Sequence, residues 1–457
     1  MLPKKLIKDI EYLKKSYKKN TLSVADCENF LNSLVLTLEK HSNSENSRFL
    51  EYIGKPDSGM KIIHVAGTNG KGSVCNYLSS ILLHSGYKTG MFTSPHLVRI
   101  TERFVINGEE ISDKIFIETF IKILYEVESF EKKETESSDY FPTYFEYLFF
   151  MAMILFRGAF VDYLVLETGL GGLLDVTNTV NKPVLSVITE IGMDHMSYLG
   201  DSYEDIAFHK AGIIKDNVPL VFFDKRPECT KIITDTAKEK HAKLISVSDK
   251  NIKNVMIVTN AKGNKYVDFC YDSEYYNYVG LRLHSAAKYQ AQNASLAIES
   301  ALLLKDMGAK ITRLDIIDGL LNTVWPCRME EIRPGFIIDG AHNTDGMEAF
   351  LKSAEDIAHN GRKILLFGAV SDKQYMQMAS MIGNSKIFDI ICVACLRTKR
   401  SLDKDSLKAA FSCIDNVYLY ENVEDALCYI DSIKTDDDII FAAGSLYLAG
   451  QLRETYD

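Results

Sequence analysis

Short apolar runs rich in valine and isoleucine alternate with longer segments of helical periodicity along most of the 457-residue chain. The first pair is KIIHVAG (61–67), followed by SVCNYLSSILLHSG (73–86), whose apolar positions recur at helical spacing. Further strands are predicted at YLVLE, VLSVI and VPLVFFD. Strands alternating with helices are typical of a parallel sheet with helices on both faces, and sites in such sheets form at the carboxyl ends of the strands.

This pattern changes twice towards the carboxyl end. Residues 244–283 predict strands and hairpins, and KYQAQNASLAIESALLLKDMG (288–308) predicts a helix. After VWPCRM (324–329) the strand and helix alternation restarts, which predicts a second, smaller, Rossmann-like α/β unit. The sequence therefore predicts an α/β protein with two domains, residues 1–324 and 325–457.

Two further segments bear on the class of protein. The longest apolar run, YLFFMAMILF (147–156), has half of the roughly 20 residues needed to span a membrane, so it predicts a buried helix. SFEKKETESSDYF (129–141) is strongly charged and predicts a surface loop. The amino terminus is basic but has no apolar core, which excludes a signal peptide.

Charge and cysteine content narrow the partners and the compartment. The formal net charge of −10 argues against nucleic acid as a partner and requires locally basic groups wherever an anionic substrate binds. Nine scattered cysteines suit a reducing compartment, so we expect a cytoplasmic protein. Cys392 and Cys395 form a single CxxC in an apolar run, which indicates strand cysteines and not a zinc site.

The segment HVAGTNGKGS (64–73) carries the clearest chemistry. It follows a predicted strand and opens a predicted helix, like the phosphate loop GxxxxGK[ST], but Val65 stands at the first glycine and Gly72 at the hydroxyl position. Gly67 and Gly70 still permit a tight cradle of backbone N–H groups, and Ser73 can offer its hydroxyl to Mg²⁺. The segment predicts a nucleotide site and leaves open whether the protein is a switch, a kinase or a ligase.

A series of motifs extends the match from about residue 48 to residue 453. In chain order they are GTNGKGS, TSPHLVRITERFVING, PTYFEY, ETGLGGLLDVTN, EIGMDHMSYLG, HKAGIIK, YQAQNA, WPCRME, DGAHN, SDK and GSLYLAG. Together they resemble the folylpolyglutamate synthase and dihydrofolate synthase family, a branch of the Mur-type ATP-dependent amide ligases. One departure is Thr344, which stands where the family commonly has proline after AHN.

The resemblance implies ATP, Mg²⁺, a folate and L-glutamate as ligands, with an acyl phosphate formed on the folate carboxylate. The residues it implies for ATP are Gly67, Thr68, Asn69, Gly70, Lys71, Gly72, Ser73, Asn293, Arg328 and Asp339. For the metal it implies Ser73, Glu167, His195 and Lys210 as a carbamate, and for catalysis Lys71, Lys210 and His342. For the folate side it implies Ser94, Pro95, His96, Arg99, Phe145 and Glu146, with Arg103 in the same basic segment.

Some of these roles have an independent chemical reason and others do not. Glu167 ends a predicted strand and offers the oxygen that Mg²⁺ prefers, whereas an imidazole such as His195 is unexpected by that criterion. Lys210 is an ordinary helix lysine by pattern, and only its neutral amine would react with CO₂. The planar donors of Arg328 suit a phosphate.

Other readings stay open at this point. Within the family, the enzyme could be a folylpolyglutamate synthase, a dihydrofolate synthase or both, since the motifs are shared. A muramyl-peptide ligase is a second alternative, against which SPHLVRITER and DGAHN speak. A phosphate-loop switch would explain only residues 64–73. The resemblance also implies a monomer, with no membrane partner.

Overall fold

The structure is a computed structural model that describes residues 4–35, 38–133 and 140–456. Within these ranges the α-helices are α1 (Lys4–Lys18), α2 (Val24–Val35), α3 (Asn43–Tyr52), α4 (Lys71–His84), α5 (Asp113–Lys133), α6 (Tyr144–Gly158), α7 (Met196–Leu199), α8 (Tyr203–Ala211), α9 (Pro227–Glu239), α10 (Gln290–Asp306), α11 (Arg313–Leu321), α12 (Thr344–Asp356), α13 (Tyr375–Ser385), α14 (Lys404–Ala410), α15 (Val423–Ile433) and α16 (Leu446–Tyr456). The strands are β1 (Lys61–Ala66), β2 (Thr89–Phe92), β3 (Phe104–Ile106), β4 (Glu109–Glu110), β5 (Tyr163–Glu167), β6 (Leu185–Ile188), β7 (Leu220–Phe223), β8 (Leu244–Val247), β9 (Ile252–Thr259), β10 (Lys265–Asp272), β11 (Asn277–Leu283), β12 (Glu330–Arg333), β13 (Phe336–Ile338), β14 (Lys363–Phe367), β15 (Ile390–Ala394), β16 (Val417–Tyr420) and β17 (Ile439–Ala443).

The first sheet has the strand order β4-β3-β2-β5-β1-β6-β7-β8. From β2 to β8 its strands are parallel, and at its edge β3 pairs antiparallel with both β2 and β4. Strand β1 lies between β5 and β6, with Ile63 opposite Val165 and Leu185. Because helices cover both faces, successive β1 residues such as Ile62 and Ile63 are both buried, which explains the unbroken apolar runs in the sequence.

The two faces of this sheet carry different helices. One face packs against α4, α10 and α11. The other face packs against α2, α3, α5 and α6, and further along the sheet, at β6 and β7, against α8 and α9. The predicted buried helix is confirmed as α6, where Phe149 and Phe150 are fully enclosed. In the described part of the chain, no helix is both long enough and apolar enough to cross a membrane.

The charged segment 129–141 departs from the predicted surface loop. Helix α5 continues to Lys133, and Tyr140 and Phe141 are buried in the core beside α6. Residues 134–139 lie outside the described residues. The prediction was wrong at both ends because aromatic residues that flank the charged run have partners in the helices α2 and α3, such as Phe30 and Phe49.

The hairpin region and the second unit follow the predicted pattern. Strands β9, β10 and β11 form an antiparallel sheet. The second large sheet has the order β12-β13-β17-β14-β15-β16 and is parallel except for β12. Cys392 is buried on β15, and Cys395 is partly exposed just after it. The predicted fold class is confirmed, while the domain boundary at 324/325, between α11 and β12, stays a prediction.

Candidate active site

The phosphate loop lies between β1 and α4 and depends on its glycines. Gly67 and Gly70 have positive φ angles of 153° and 86°. A Cβ on Gly67 would lie 1.7 Å from Thr189 Oγ1, and one on Gly70 would lie 2.1 Å from Asn293 Oδ1. Neither position accepts a side chain, because both backbone angle and space exclude it. Helix α4 begins at Lys71 without a side-chain cap, so the backbone N–H groups of its first turn are available to bind an anion.

Neighbouring strand ends hold this loop in place. The backbone N–H of Thr68 donates to the Glu190 carbonyl at 2.8 Å, and the Thr68 hydroxyl donates to the Gly192 carbonyl at 2.9 Å. The Thr189 hydroxyl donates to the Asn69 carbonyl at 2.6 Å. The loop after β6 is thus a wall of the phosphate site, as expected where parallel strands end together.

Lys71 and Glu167 meet beside the loop. Lys71 Nζ donates to the Thr68 carbonyl at 3.2 Å and lies 3.9 Å from Glu167 Oε1. Glu167 ends β5, and its Oε2 accepts a hydrogen bond from the Ser94 backbone at 3.1 Å. Burial raises the pKa of Glu167 to about 7, although the charge of Lys71 acts in the opposite direction. A nearby cation stabilises the ionised form of such a buried carboxylate.

Lys210 approaches the same loop from the end of α8. Its side chain is buried, and Nζ donates to the Gly67 carbonyl at 2.7 Å. Burial, reinforced by the charge of Lys71, lowers the pKa of Lys210 well below its usual value. The neutral amine, which is the form that reacts with CO₂, is therefore favoured.

Ser73 has a partner that the sequence did not single out. Its Oγ accepts a hydrogen bond from Gln290 Nε2 at 3.2 Å, and Gln290 Oε1 accepts one from Asn293 Nδ2 at 2.8 Å. Gln290 and Asn293 lie one turn apart on α10, in the quoted motif YQAQNA, so their spacing was the available signal. The pair orients the Ser73 hydroxyl and fills the space beside Gly70.

Part of the predicted metal-binding set offers the oxygen ligands that a hard cation such as Mg²⁺ prefers. In the described ranges, no cluster of three or more His, Cys, Asp or Glu residues is placed to hold a metal ion. The predicted set instead combines the oxygens of Ser73 and Glu167 with Lys210 and His195. Burial raises the pKa of Glu167, so a cation bound beside it would favour its ionised form. His195 follows β6 with its side chain 41% exposed, and loss of hydration lowers its pKa to about 4, so its ring is neutral.

Side chains of the second unit contact the phosphate loop and Asp194, which follows β6 in the first unit. Lys373 Nζ donates to Asp194 Oδ1 at 2.6 Å, and Asn343 Nδ2 donates to Asn69 Oδ1 at 3.0 Å. His342 Nε2 lies 3.5 Å from Asp194 Oδ2, and its Nδ1–H donates to the Gly340 carbonyl at 2.8 Å. Sequence reasoning missed Asp194, Asn343 and Lys373, although each lies in a quoted motif.

Charges explain why Asp194 stays ionised in this buried position. Burial by itself would raise the pKa of Asp194, but the hydrogen bond and charge of His342 and the ammonium of Lys373 hold it below the usual range. The contact therefore joins the two units by an ion pair that is almost closed to solvent, with side chains 9% and 8% exposed.

Asp339 and Arg328 lie together at the carboxyl end of β13. Asp339 is buried and accepts hydrogen bonds from the Tyr289 hydroxyl at 2.6 Å and from the backbone of Met329 and Ala341 at 2.9 and 2.8 Å. Arg328 Nη1 lies 2.3 Å from the position of a Cβ on Gly340, so that glycine leaves room for the guanidinium. In this conformation Asp339 is a structural acceptor, and its contact with ATP stays a prediction.

The folate-side segment separates its two arginines. Arg99 is exposed and pairs with Glu110 at 3.1 Å and Asp113 at 2.5 Å. Arg103 is buried, 6% exposed, and donates from Nε to His96 Nδ1 at 3.0 Å. Its guanidinium lies over the Tyr144 ring at 5.7 Å. The charge of Arg103 also lowers the pKa of Glu167, with a smaller effect than that of Lys71.

The remaining folate-side residues have different surroundings. Ser94 and Pro95, joined by a cis peptide bond, follow β2. The Phe145 ring lies 2.5 Å from the position of a Cβ on Gly169, so it packs against the loop that starts at Glu167. Glu146 is buried and accepts hydrogen bonds from His41, Asn46 and the Thr143 backbone. That carboxylate ties α6 to the N-terminal helices, and nothing in this conformation leaves it open to a ligand.

Comparison with known proteins defines the class. Residues 65–301 match the Mur ligase middle domain, and residues 327–446 match the Mur ligase glutamate ligase domain. With the phosphate loop in one α/β unit and a second α/β unit contacting it, the chain has the architecture of an ATP-dependent ligase of the Mur type. The predicted boundary lies between the two matched ranges.

Relatives narrow the class to a family. The chain is 34% identical to a dihydrofolate synthase/folylpolyglutamate synthase of Bacillus subtilis, over 88% of this chain and 92% of the relative. It is 30% identical to a folylpolyglutamate synthase of Lacticaseibacillus casei, over 89% and 92%. The protein therefore belongs to the folylpolyglutamate synthase and dihydrofolate synthase family.

Solved structures agree with this assignment. A Mycobacterium tuberculosis folylpolyglutamate synthase complexed with ADP aligns with a TM-score of 0.83, covering 95% of this chain and 98% of that chain at 26% identity. Escherichia coli FolC in complex with DHPP and ADP aligns with a TM-score of 0.80, covering 95% and 97% at 28% identity.

Proposed function

We propose that the protein is an ATP-dependent ligase that adds L-glutamate to the terminal carboxylate of a folate. The observation that carries the proposal is the convergence on Glu167. Lys71 of the phosphate loop lies 3.9 Å from it, and Arg103 acts on it from the folate side. A phosphate donor held at the loop and a carboxylate held by Arg103 would therefore meet at one point.

The state of Arg103 supports an anionic partner. Its Nε donates to the His96 ring, and its guanidinium carbon lies 5.7 Å from the centre of the Tyr144 ring. In the described part of the chain no direct ion pair includes Arg103, although its charge acts on the pKa values of Glu28 and Glu167. Burial lowers the pKa of His96 to about 3, so that ring brings no charge of its own. A direct ion pair with an acceptor carboxylate would offset the cost of burying the Arg103 guanidinium, because Glu28 and Glu167 act on it without forming an ion pair.

The reaction has two balanced steps. A carboxylate oxygen of the acceptor attacks the γ-phosphorus of ATP, the bond to the β-phosphate oxygen breaks, and ADP leaves. The amine nitrogen of glutamate then attacks the carbonyl carbon of the acyl phosphate, loses a proton, and displaces inorganic phosphate. Lys71 and the N-terminus of α4 offset the charge that builds up on the transferring group. His342 is proposed as a site residue of the second unit.

The groups proposed to hold Mg²⁺ are Ser73, Glu167, His195 and a carbamate on Lys210. When bound, Mg²⁺ supplies positive charge for the phosphate oxygens. The neutral, buried amine of Lys210 supports the carbamate, which would convert a nitrogen into an oxygen donor.

Exclusion of water is the task proposed for the contact between the units. An acyl phosphate hydrolyses in water, so the site must be closed while it exists. The hydrogen bond from Asn343 to Asn69 and the ion pair between Lys373 and Asp194 bring the second unit directly onto the phosphate loop. ATP contacts proposed on both sides, at Gly67–Ser73 and at Arg328, support closure upon nucleotide binding.

Incorporation of labelled glutamate tests the function and separates its two forms. Purified protein with ATP and Mg²⁺ is given either a reduced folate or dihydropteroate as acceptor. Labelling of reduced folates alone makes it a folylpolyglutamate synthase, labelling of dihydropteroate alone a dihydrofolate synthase, and labelling of both a bifunctional enzyme. A folded protein that binds ADP but labels neither acceptor would contradict the proposal.

We also propose that the protein acts as a monomer in the cytoplasm. Light scattering tests the oligomeric state, and cell fractionation tests the compartment.

A further inference from the structure

One buried histidine has no part in the reaction described above. His64 lies on β1, three residues before Gly67 and opposite Leu166 on β5 and Ser186 on β6, and its side chain is fully buried. Burial, with a smaller effect of the Lys215 charge, lowers the pKa of His64 to about 3, so its ring is neutral. Within the described ranges its Nδ1 has no hydrogen-bond partner. A polar ring in such a position needs a reason.

Its other ring nitrogen starts a directed chain of hydrogen bonds. His64 Nε2 lies 2.9 Å from Thr177 Oγ1, which lies 2.6 Å from Asp175 Oδ1. The carboxylate only accepts, so the Thr177 hydroxyl must donate to Asp175 and can only accept from His64. The proton of the His64 ring is therefore on Nε2, and Nδ1 carries none.

Asp175 passes this constraint to the loop that begins at Glu167. Its Oδ2 accepts a hydrogen bond from the Leu170 backbone at 2.9 Å, closing the loop between these two residues. The same loop packs on the end of α8, where the Leu173 N–H donates to the His209 carbonyl at 2.7 Å. A Cβ on Gly172 would lie 3.1 Å from the Lys210 carbonyl. The loop thus touches both Glu167 and the backbone of Lys210.

We infer that His64, Thr177 and Asp175 form a positioning relay that fixes Glu167 and Lys210 relative to the phosphate loop. The inference rests on the proposed function, which assigns those two residues to the metal. The relay starts on the strand that carries the phosphate loop and ends on the loop that follows Glu167, so it adds a side-chain link to the β1–β5 pairing that sets Val65 opposite Glu167. Buried, fully directed hydrogen bonds of this kind restrict the groups that they hold.

A simpler role for Asp175 would be to cap the short 3₁₀ turn Val176–Thr179. The bond from the Thr177 backbone to Asp175 Oδ1, at 3.0 Å, is sufficient for that cap. It requires neither the Thr177 hydroxyl nor His64. Changes at those two side chains therefore distinguish a positioning relay from a local cap.

The test compares Thr177→Val with Thr177→Ser. Valine keeps the shape and removes the hydroxyl, whereas serine keeps the hydroxyl. Calorimetry measures the affinity for ADP with Mg²⁺ and, separately, with a chelator. We expect Thr177→Val to weaken binding of Mg²⁺–ADP by roughly 10-fold or more, as for other residues that orient metal ligands, with metal-free ADP affinity and the KM for glutamate unchanged. Thr177→Ser should resemble the parent protein.

Ser186→Ala is the matched control for loss of a buried hydrogen bond. Ser186 lies beside His64 on β6, and its hydroxyl donates to the Ile213 carbonyl at 3.0 Å, outside the relay. We expect it to lower the melting temperature without changing the ratio of Mg²⁺–ADP to ADP affinity. If Thr177→Val does not fold, His64→Leu and His64→Gln replace it, since glutamine retains a donor near the position of Nε2.

Two results would overturn the relay. One is a ratio of Mg²⁺–ADP to ADP affinity in Thr177→Val equal to that in Thr177→Ser. The other is an equal change of that ratio in Ser186→Ala. Both readings use nucleotide binding, so they stand even if the protein ligates glutamate to no folate, and the failure of the relay is distinguishable from the failure of the proposed function.

Discussion

The amine nitrogen of Lys210 lies 2.7 Å from the carbonyl oxygen of Gly67. This contact joins the end of α8 to the phosphate loop and buries the amine next to Lys71. Both Lys71 and Lys210 contact backbone carbonyls of the phosphate loop, and burial, reinforced by the charge of Lys71, lowers the pKa of Lys210 well below its usual value. The site therefore holds a neutral, reactive amine at Lys210.

The first prediction concerns CO₂ at Lys210. We expect ¹³C NMR in ¹³C-bicarbonate to show a carbamate that disappears in Lys210→Ala, and CO₂-depleted buffer to lower the ligase rate until bicarbonate is restored. The rate in Lys210→Ala should fall roughly 10²–10³-fold, the cost of removing a group that stabilises developing charge.

Lys215→Ala is the control for that prediction. Lys215 Nζ also donates to a backbone carbonyl, that of Asn178 at 3.0 Å, but away from the phosphate loop. Its replacement should leave the carbamate signal and the bicarbonate response in place. A rate independent of bicarbonate, together with no carbamate signal in the parent protein, would contradict the assignment.

A second prediction concerns Lys71. Replacing it by alanine should abolish ADP formation in the presence of acceptor and glutamate, because no other side chain is placed in this loop to offset the charge of the transferring phosphate. Lys88→Ala, an exposed lysine directly before β2, is the control and should be fully active. Near-normal turnover in Lys71→Ala would rule out the proposed phosphoryl transfer.

A third prediction separates Arg103 from Arg99. Arg103→Gln should raise the KM for the acceptor roughly 10- to 100-fold, the range for losing a hydrogen bond to a charged group, with the KM for ATP little changed. Arg99→Gln should change either constant less than about threefold, since exposed ion pairs contribute little. The reverse order of effects would place the acceptor carboxylate on the exposed side of the segment.

How much of this site the sequence predicts depends on how local each feature is. The phosphate loop is fixed by neighbours in the chain, so Gly67, Gly70 and Ser73 were found from spacing alone. Glu167 was expected at the end of a strand, whereas its role at the metal was implied by the resemblance and stays a prediction. By contrast, Arg99 and Arg103 lie four residues apart in one segment. Their difference arises from Glu110 and Asp113, which capture Arg99, and no pattern within the segment reports that.

Contacts between distant parts of the chain account for the features that local sequence patterns do not report. Asp194 is defined by Lys373, which is 179 residues away, and Glu146 by His41, which is 105 residues away. Gln290 gains its role from Ser73 across the core, 217 residues apart in sequence. Each side chain has an unremarkable local pattern, and only the packing of helices on the sheet gives it a partner.

A fourth prediction concerns the stability of the protein at low pH. The pKa of His64 is about 3 in the folded chain against an ordinary value of 6.5, so below pH 6.5 the unfolded chain binds a proton that the folded chain does not. Its contribution to stability is present above pH 6.5 and is lost as the pH falls. Between pH 7 and pH 5 the loss should be about 2 kcal/mol.

Denaturant unfolding of His64→Gln at both pH values checks this. The variant lacks the titrating ring, so its free energy of unfolding should fall less than that of the parent by about the same 2 kcal/mol. An identical pH dependence in the two proteins would mean that the His64 ring is protonated or accessible in the folded chain.

The central claim is that ATP is used to make an acyl phosphate of the acceptor at this site. The most direct measurement supplies the acceptor with ¹⁸O in its terminal carboxylate and analyses the inorganic phosphate by mass spectrometry. We expect one ¹⁸O atom in each phosphate released per glutamate joined, and none in Lys71→Ala. Phosphate free of ¹⁸O, with glutamate still incorporated, would contradict it, because the carboxylate oxygen would then never have been bonded to phosphorus.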